Sequence, residues 1–254
     1  MTTPASQLPQ PPRDESQRLF VGVRVSVATA NALAGAAETL ARRARDAGVD
    51  IRWVAPVSYH LTLKFLGWTR PAMVGALRDV LEAAAVGIPR FTLRTARLGA
   101  FASLDKANVV WAGGQDTSSS GALDLLARRI EQGCTGLGFA AESRPYHPHV
   151  TLGRIRETRA VRDVVLPLAE QMFGDTAVDS ITLFETETKS GSSVYRELHR
   201  INFKTVRSGA HGASERQTPA LQLDPSKQSS EASAETETDD GWPRSTDHRH
   251  HDDH

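Results

Sequence analysis

One four-residue pattern occurs twice, 89 residues apart: His60-Leu61-Thr62-Leu63 and His149-Val150-Thr151-Leu152. Each copy opens a short apolar stretch of strand composition. In a strand successive side chains alternate faces, so His and Thr share one face and the two aliphatics take the other. Each copy therefore offers an imidazole beside a hydroxyl on a rigid floor whose back is buried. A single His-x-Thr carries almost no information. The pair carries more, because burying imidazole and hydroxyl without partners costs a few kcal/mol each. Four such groups at matched places are best accommodated by a wet cleft.

The surrounding elements repeat as well. Leu19 to Val27 reads as a strand, and an Ala-rich helix from Ala30 to Ala47 ends at Gly48. The His60 strand follows, then a helix over Pro71 to Ala85 with Leu77, Val80 and Leu81 at helical spacing. Phe91–Leu98 and Asn108–Ala112 form a strand pair. The second half runs helix (Gly121 to Gln132), His149 strand, helix (Arg159 to Met172) and two strands (Ala177 to Glu185, Val194 to Phe203). A period this long excludes a solenoid. The reading is an α+β, bilobal, duplicated fold: two antiparallel sheets flank a central cleft, with helices outside. Pseudo-repeats span about 18–113 and 120–207, and a twofold relation would bring the two His-x-Thr copies face to face.

The ends differ from this body. Residues 1–17 are rich in Pro and polar residues and read as a disordered lead. From Ser208 onward ten acidic residues face four basic ones, and the chain ends in a His-rich run. This stretch, 208–254, reads as a disordered acidic tail, with a loose transition-metal site as the weaker reading. The chain carries no net formal charge, so the body alone is +6, a mild bias toward polyanions. Cys134 is the sole cysteine, which leaves no disulfide and no CxxC metal pattern. No apolar run approaches the roughly 20 residues of a membrane span, and no basic-then-apolar leader opens the sequence. The expectation is a cytoplasmic monomer without membrane contact.

The chemistry follows from the side chains. A neutral His takes a proton and a protonated one delivers it. Thr hydroxyls donate to phosphate oxygens, where charge grows in a transition state. An anion needing one proton removed and one supplied suits this set, as a cyclic phosphodiester does. No cofactor or metal is expected: His147 forms His-x-His with His149, but Pro148 intervenes and no third ligand is spaced to join them. His199 reads as an ordinary strand residue. Trp53 and Tyr59 are candidates to stack a base at the cleft edge, with core packing equally open.

The stretches Arg52-Trp-Val-Ala-Pro-Val-Ser-Tyr-His60-Leu-Thr-Leu-Lys-Phe-Leu-Gly67 and Pro145-Tyr-His-Pro-His149-Val-Thr-Leu-Gly-Arg154 resemble the two signatures of the 2H phosphoesterases. The resemblance is strongest to the RNA 2′,3′-cyclic phosphodiesterases, also called 2′-5′ RNA ligase-like proteins, and covers about residues 18 to 206. It implies metal-independent hydrolysis of RNA 2′,3′-cyclic phosphate ends to a 2′-phosphomonoester. It also implies His60 as proton donor, His149 as proton acceptor, and Thr62, Thr151 and Arg154 as substrate-binding residues. Lys64 is a further source of positive charge nearby. The partners implied are RNA ends or small cyclic nucleotides. Two other readings stand beside this one: a 2′-5′ RNA ligase or small-nucleotide phosphodiesterase using the same residues, and a non-catalytic RNA- or nucleotide-binding module.

Overall fold

The computed structural model describes residues 16–189 and 192–203. The lead before Ser16 and the acidic tail lie outside the described residues. In chain order the elements are β1 (Gln17–Arg24), α1 (Val27–Asp46), β2 (Ile51–Trp53), β3 (His60–Thr69), α2 (Val74–Ala85), β4 (Phe91–Phe101) and β5 (Ala107–Asp116). Then come α3 (Ala122–Gly136), β6 (His149–Arg159), α4 (Arg162–Val165), β7 (Met172–Val178), β8 (Ser180–Lys189) and β9 (Ser192–Asn202).

Helix α1 shows how local chemistry sets an element's limits. Ser26 caps its start, the hydroxyl accepting the Thr29 N–H at 3.1 Å. Leu33, Ala36, Ala37, Leu40 and Ala44 recur at helical spacing and are buried. At the other end Gly48 takes φ 68°, where a side chain would be strained. Its N–H reaches the Arg45 carbonyl, and the Val49 N–H reaches Ala44. This double closure ends the helix and turns the chain into β2.

Among the described residues nine strands hydrogen-bond into one antiparallel sheet, in place of the two expected. Its order is β7-β4-β5-β6-β3-β1-β8-β9, with β2 also on β6. The centre is unusually thin. Strands β3 and β6 share one backbone partnership, Leu61 with Val150. Beyond it β2 takes over the edge of β6, pairing Ile51 with Ile155 and Trp53 with Gly153. Two wings, β7-β4-β5-β6 with β2 and β3-β1-β8-β9, therefore meet at one point. Each wing draws on both sequence halves: the β4–β5 hairpin joins β6, and the β8–β9 hairpin joins β1.

Two local expectations are corrected. The helix read over Arg159 to Met172 is a single α-helical turn, Arg162–Val165, followed by a 3-10 turn at Leu166–Leu168. Strand β6 runs on to Arg159, and Pro167 gives poor helical support. The strand read over Ala177 to Glu185 is two strands, β7 and β8, parted at Asp179 and lying in different wings.

Leu61 and Val150 are both fully buried at the junction, on the side packed against the helices. Truncation of Leu61 removes apolar contact where the wings share least backbone. Leu61→Ala is expected to lower unfolding free energy by about 2–5 kcal/mol in urea titration.

Candidate active site

The central partnership dictates the site. With Leu61 opposite Val150 in an antiparallel pair, His60 flanks Thr151 and Thr62 flanks His149. The aliphatics point into the core, so the two imidazoles and two hydroxyls emerge together on the other face. All four are half-buried, and both strands begin with the same alternation of half-buried and buried residues. Among the described residues neither threonine hydroxyl has a hydrogen-bond partner.

The histidines are held identically. The Nδ1 of His60 donates to the Ser58 carbonyl at 2.7 Å, and the Nδ1 of His149 donates to the His147 carbonyl at 2.7 Å. In each neutral ring the proton is thereby placed on Nδ1, leaving Nε2 as the free acceptor. Aromatic walls fix the ring planes. Phe20 lies 4.6 Å from His60, and Tyr195 meets it edge-on at 4.8 Å. Phe101 meets His149 edge-on at 4.9 Å, with Trp111 at 6.4 Å. Gly22, opposite Thr62 on β1, leaves the close approach open: a Cβ there would stand 2.7 Å from the Leu61 carbonyl oxygen and 3.5 Å from His60 Cδ2.

Arg154 reaches this face through an irregularity in the ladder. Thr151 pairs with Trp111 but Gly153 pairs with Val110, so Leu152 is an extra residue. The bulge resets the alternation and leaves Arg154 exposed on the His149 side. Strand β3 has the same bulge at Leu63, between the Thr62–Gly22 and Lys64–Val21 pairs. There it has the opposite consequence for charge. It turns Lys64 into the core, where Nζ bonds Glu131 at 2.7 Å and the Ala140 carbonyl at 2.9 Å. Lys64 therefore supplies no charge to the site. Tyr59 is likewise in the core, 2% exposed, with its hydroxyl pKa pushed to about 12 by burial. It offers no face to a base. Trp53 is half-buried on β2 beside Gly153, and His147 is exposed next to Trp111.

Electrostatics tie the group together. Burial is the main force lowering the His60 pKa to about 4. The Ser58 hydrogen bond works against this, and the charges of Arg24, Arg154 and His149 add to the lowering. Burial also lowers His149; its bond to the His147 carbonyl opposes this, while His147 and Arg154 reinforce it. The Arg154 charge thus acts on both imidazoles, and the His149 charge acts on His60. Arg24 was not singled out from the sequence. It stands opposite His60 on β1, tied to Glu197 at 2.7 Å and lying over the Phe184 ring. Among the described residues no group of three or more His, Cys, Asp or Glu is placed to hold a metal ion. No helix among them is long and apolar enough to cross a membrane.

The LigT-like phosphoesterase family model matches residues 27–111 and 116–195, which hold both histidine strands. The chain belongs to this family, within the 2H phosphoesterases. A protein of Aeropyrum pernix named RNA 2′,3′-cyclic phosphodiesterase is 30% identical over 157 residues, 61% of this chain and 87% of the relative. A Geobacillus stearothermophilus protein of the same name is 31% identical over 160 residues; the match spans 59% of this chain and about half of that protein (48%). Among solved structures, E. coli LigT complexed with 3′-AMP superposes with TM-score 0.58 at 27% identity, covering 74% of this chain and 99% of LigT. A Thermus thermophilus protein gives TM-score 0.61 at 25% identity, over 73% and 97% of the two chains. This LigT-like chain is thus an α+β phosphoesterase with an antiparallel sheet and helices packed behind it.

Two solution properties follow. In the unfolded chain His60 titrates at about 6.5, above its folded value of about 4, so between these pH values unfolding takes up a proton. Stability therefore falls as pH drops from about 6.5 to about 4, and the fall is expected to be shallower in His60→Asn, as read by thermal melts across pH. Removing the Arg154 charge lessens the cost of either imidazolium. Arg154→Ala is expected to raise both histidine pKa values, measurable by NMR titration of the ring carbons.

Proposed function

We propose that the chain hydrolyses RNA 2′,3′-cyclic phosphodiester ends to 2′-phosphomonoesters by two-histidine acid–base catalysis, without a metal. The observation that carries this reading is the Leu61–Val150 partnership, which sets two identically tethered imidazoles beside two unpartnered hydroxyls. The names of the Aeropyrum and Geobacillus relatives point to the same substrate, and LigT has been crystallised with both 3′-AMP and phosphate.

In this reading the two wings are the lobes of a cleft, and the phosphate sits between them. His149, neutral with Nε2 free, removes a proton from water as its oxygen bonds to phosphorus. His60 delivers a proton to the 3′ oxygen as the P–O3′ bond breaks, leaving phosphate on the 2′ oxygen. Thr62, Thr151 and Arg154 hold the non-bridging oxygens, where charge grows. His60 must bind a proton before it can act, although burial and neighbouring cations resist this in the free protein. The incoming phosphodiester anion relieves that resistance by offsetting Arg24 and Arg154. Substrate and proton therefore favour each other's binding.

The test is turnover of an oligonucleotide ending in 2′,3′-cyclic phosphate, with a chelator present. The expected product is the 2′-monophosphate, with kcat lowered about 10²–10⁴-fold in His60→Ala and in His149→Ala. Full activity in both variants, or a requirement for added metal, overturns the mechanism. Joining of a 5′-hydroxyl RNA in place of hydrolysis would assign the ligase direction.

A further inference from the structure

The exposed face of β3 continues past the histidine. Its partners on β1 give the facing of each residue: His60 opposes Arg24, Thr62 opposes Gly22, Phe65 opposes Phe20 and Trp68 opposes Arg18. Cross-strand partners project to the same side. Two bulges, at Leu63 and Leu66, keep this row in phase where simple alternation would turn Phe65 to the core. The outcome is visible in exposure. Leu61, Leu63 and Leu66 are buried, whereas Phe65 is 60% and Trp68 56% exposed.

Two large aromatics thus stand in water on the catalytic face, in line with the reacting groups. Phe65 is joined to His60 through Phe20, whose ring centroid lies 6.3 Å from Phe65 and 4.6 Å from His60. Beside Trp68, Arg18 is exposed and has no ion-pair partner among the described residues. Its charge reaches Tyr195, the residue edge-on to His60, so it belongs to the same electrostatic surface. From Phe65 to Trp68 the partner strand advances two residues, about 7 Å, close to the repeat of consecutive nucleotides in an extended strand. A row of exposed aromatic faces with an unpaired guanidinium beside it matches single-stranded RNA, whose bases stack and whose backbone is anionic.

We propose that Phe65, Trp68 and Arg18 form a distal subsite for the nucleotides on the 5′ side of the reacting phosphate. The bases stack on the two rings, and Arg18 meets a backbone phosphate. The preferred substrate is then an RNA strand of three or more nucleotides over a cyclic mononucleotide. This rests on the cyclic-phosphate reading above and names its substrate class.

The experiment compares a trinucleotide ending in 2′,3′-cyclic phosphate with cytidine 2′,3′-cyclic monophosphate. Trp68→Ala is expected to raise KM for the trinucleotide roughly tenfold at unchanged kcat, leave the mononucleotide kinetics untouched, and be rescued by Trp68→Phe. Arg18→Ala is expected to lower the salt dependence of trinucleotide binding by about 0.7 in log–log slope. Equal effects on both substrates, or none on either, overturn the subsite. Calorimetry with a trinucleotide ending in 2′-phosphate reads the same surface without turnover. Weaker binding in both variants supports the subsite even if the parent protein hydrolyses neither substrate, and parental affinity in both overturns it.

Discussion

A single backbone partnership, Leu61 with Val150, organises this molecule. Because it is antiparallel, it sets His60 by Thr151 and Thr62 by His149. Because it is so short, β3 and β6 share no further pairing on either side of it. The aliphatic side chains beneath it belong to one apolar core with the helices. The same contact thus closes the fold and assembles the candidate site.

The near-symmetry about this point explains both the likeness of the two histidines and their difference. Each ring is tethered by the carbonyl two residues earlier, and each strand carries a bulge after its threonine. The residues placed by those bulges are not alike. On β6 the exposed position is Arg154, a cation; on β3 it is Phe65, an aromatic ring. The residue before it is a glycine on β6 and a buried, paired lysine on β3. A substrate with a phosphate and a base has two unlike ends, and in the proposed reaction these unlike neighbours distinguish the two histidines.

Charge and burial are balanced against each other here. Burying an imidazole among aromatic rings, beside Arg24 and Arg154, keeps His60 neutral in the free protein. The same surroundings make a protonated His60 costly until an anion arrives. Positive charge that attracts phosphate and positive charge that resists the acid are one field. In the proposed reaction, a bound phosphodiester offsets the cations and favours protonation of His60.

Much of the site was legible in the sequence, because a His-x-Thr strand exposes its two polar groups by period alone. Two copies at one slot of a repeated order already implied a shared site, and Gly48 marked the end of α1. What the linear pattern could not show was register. Lys64 and Arg154 both follow the motifs closely, yet a bulge sends one into the core and the next position on the other strand onto the histidine face. Tyr59, a candidate to stack a base, is packed inside, while Phe65, which simple alternation turns inward, faces water. The helix read over Arg159 to Met172 was lost to an extended β6 and a short turn. The sequence by itself determined which side chains the candidate site presents and that they come in matched pairs. Tertiary structure alone decided which neighbours face them and how the strands interleave, because bulges and cross-strand pairing are settled by residues far apart in the chain.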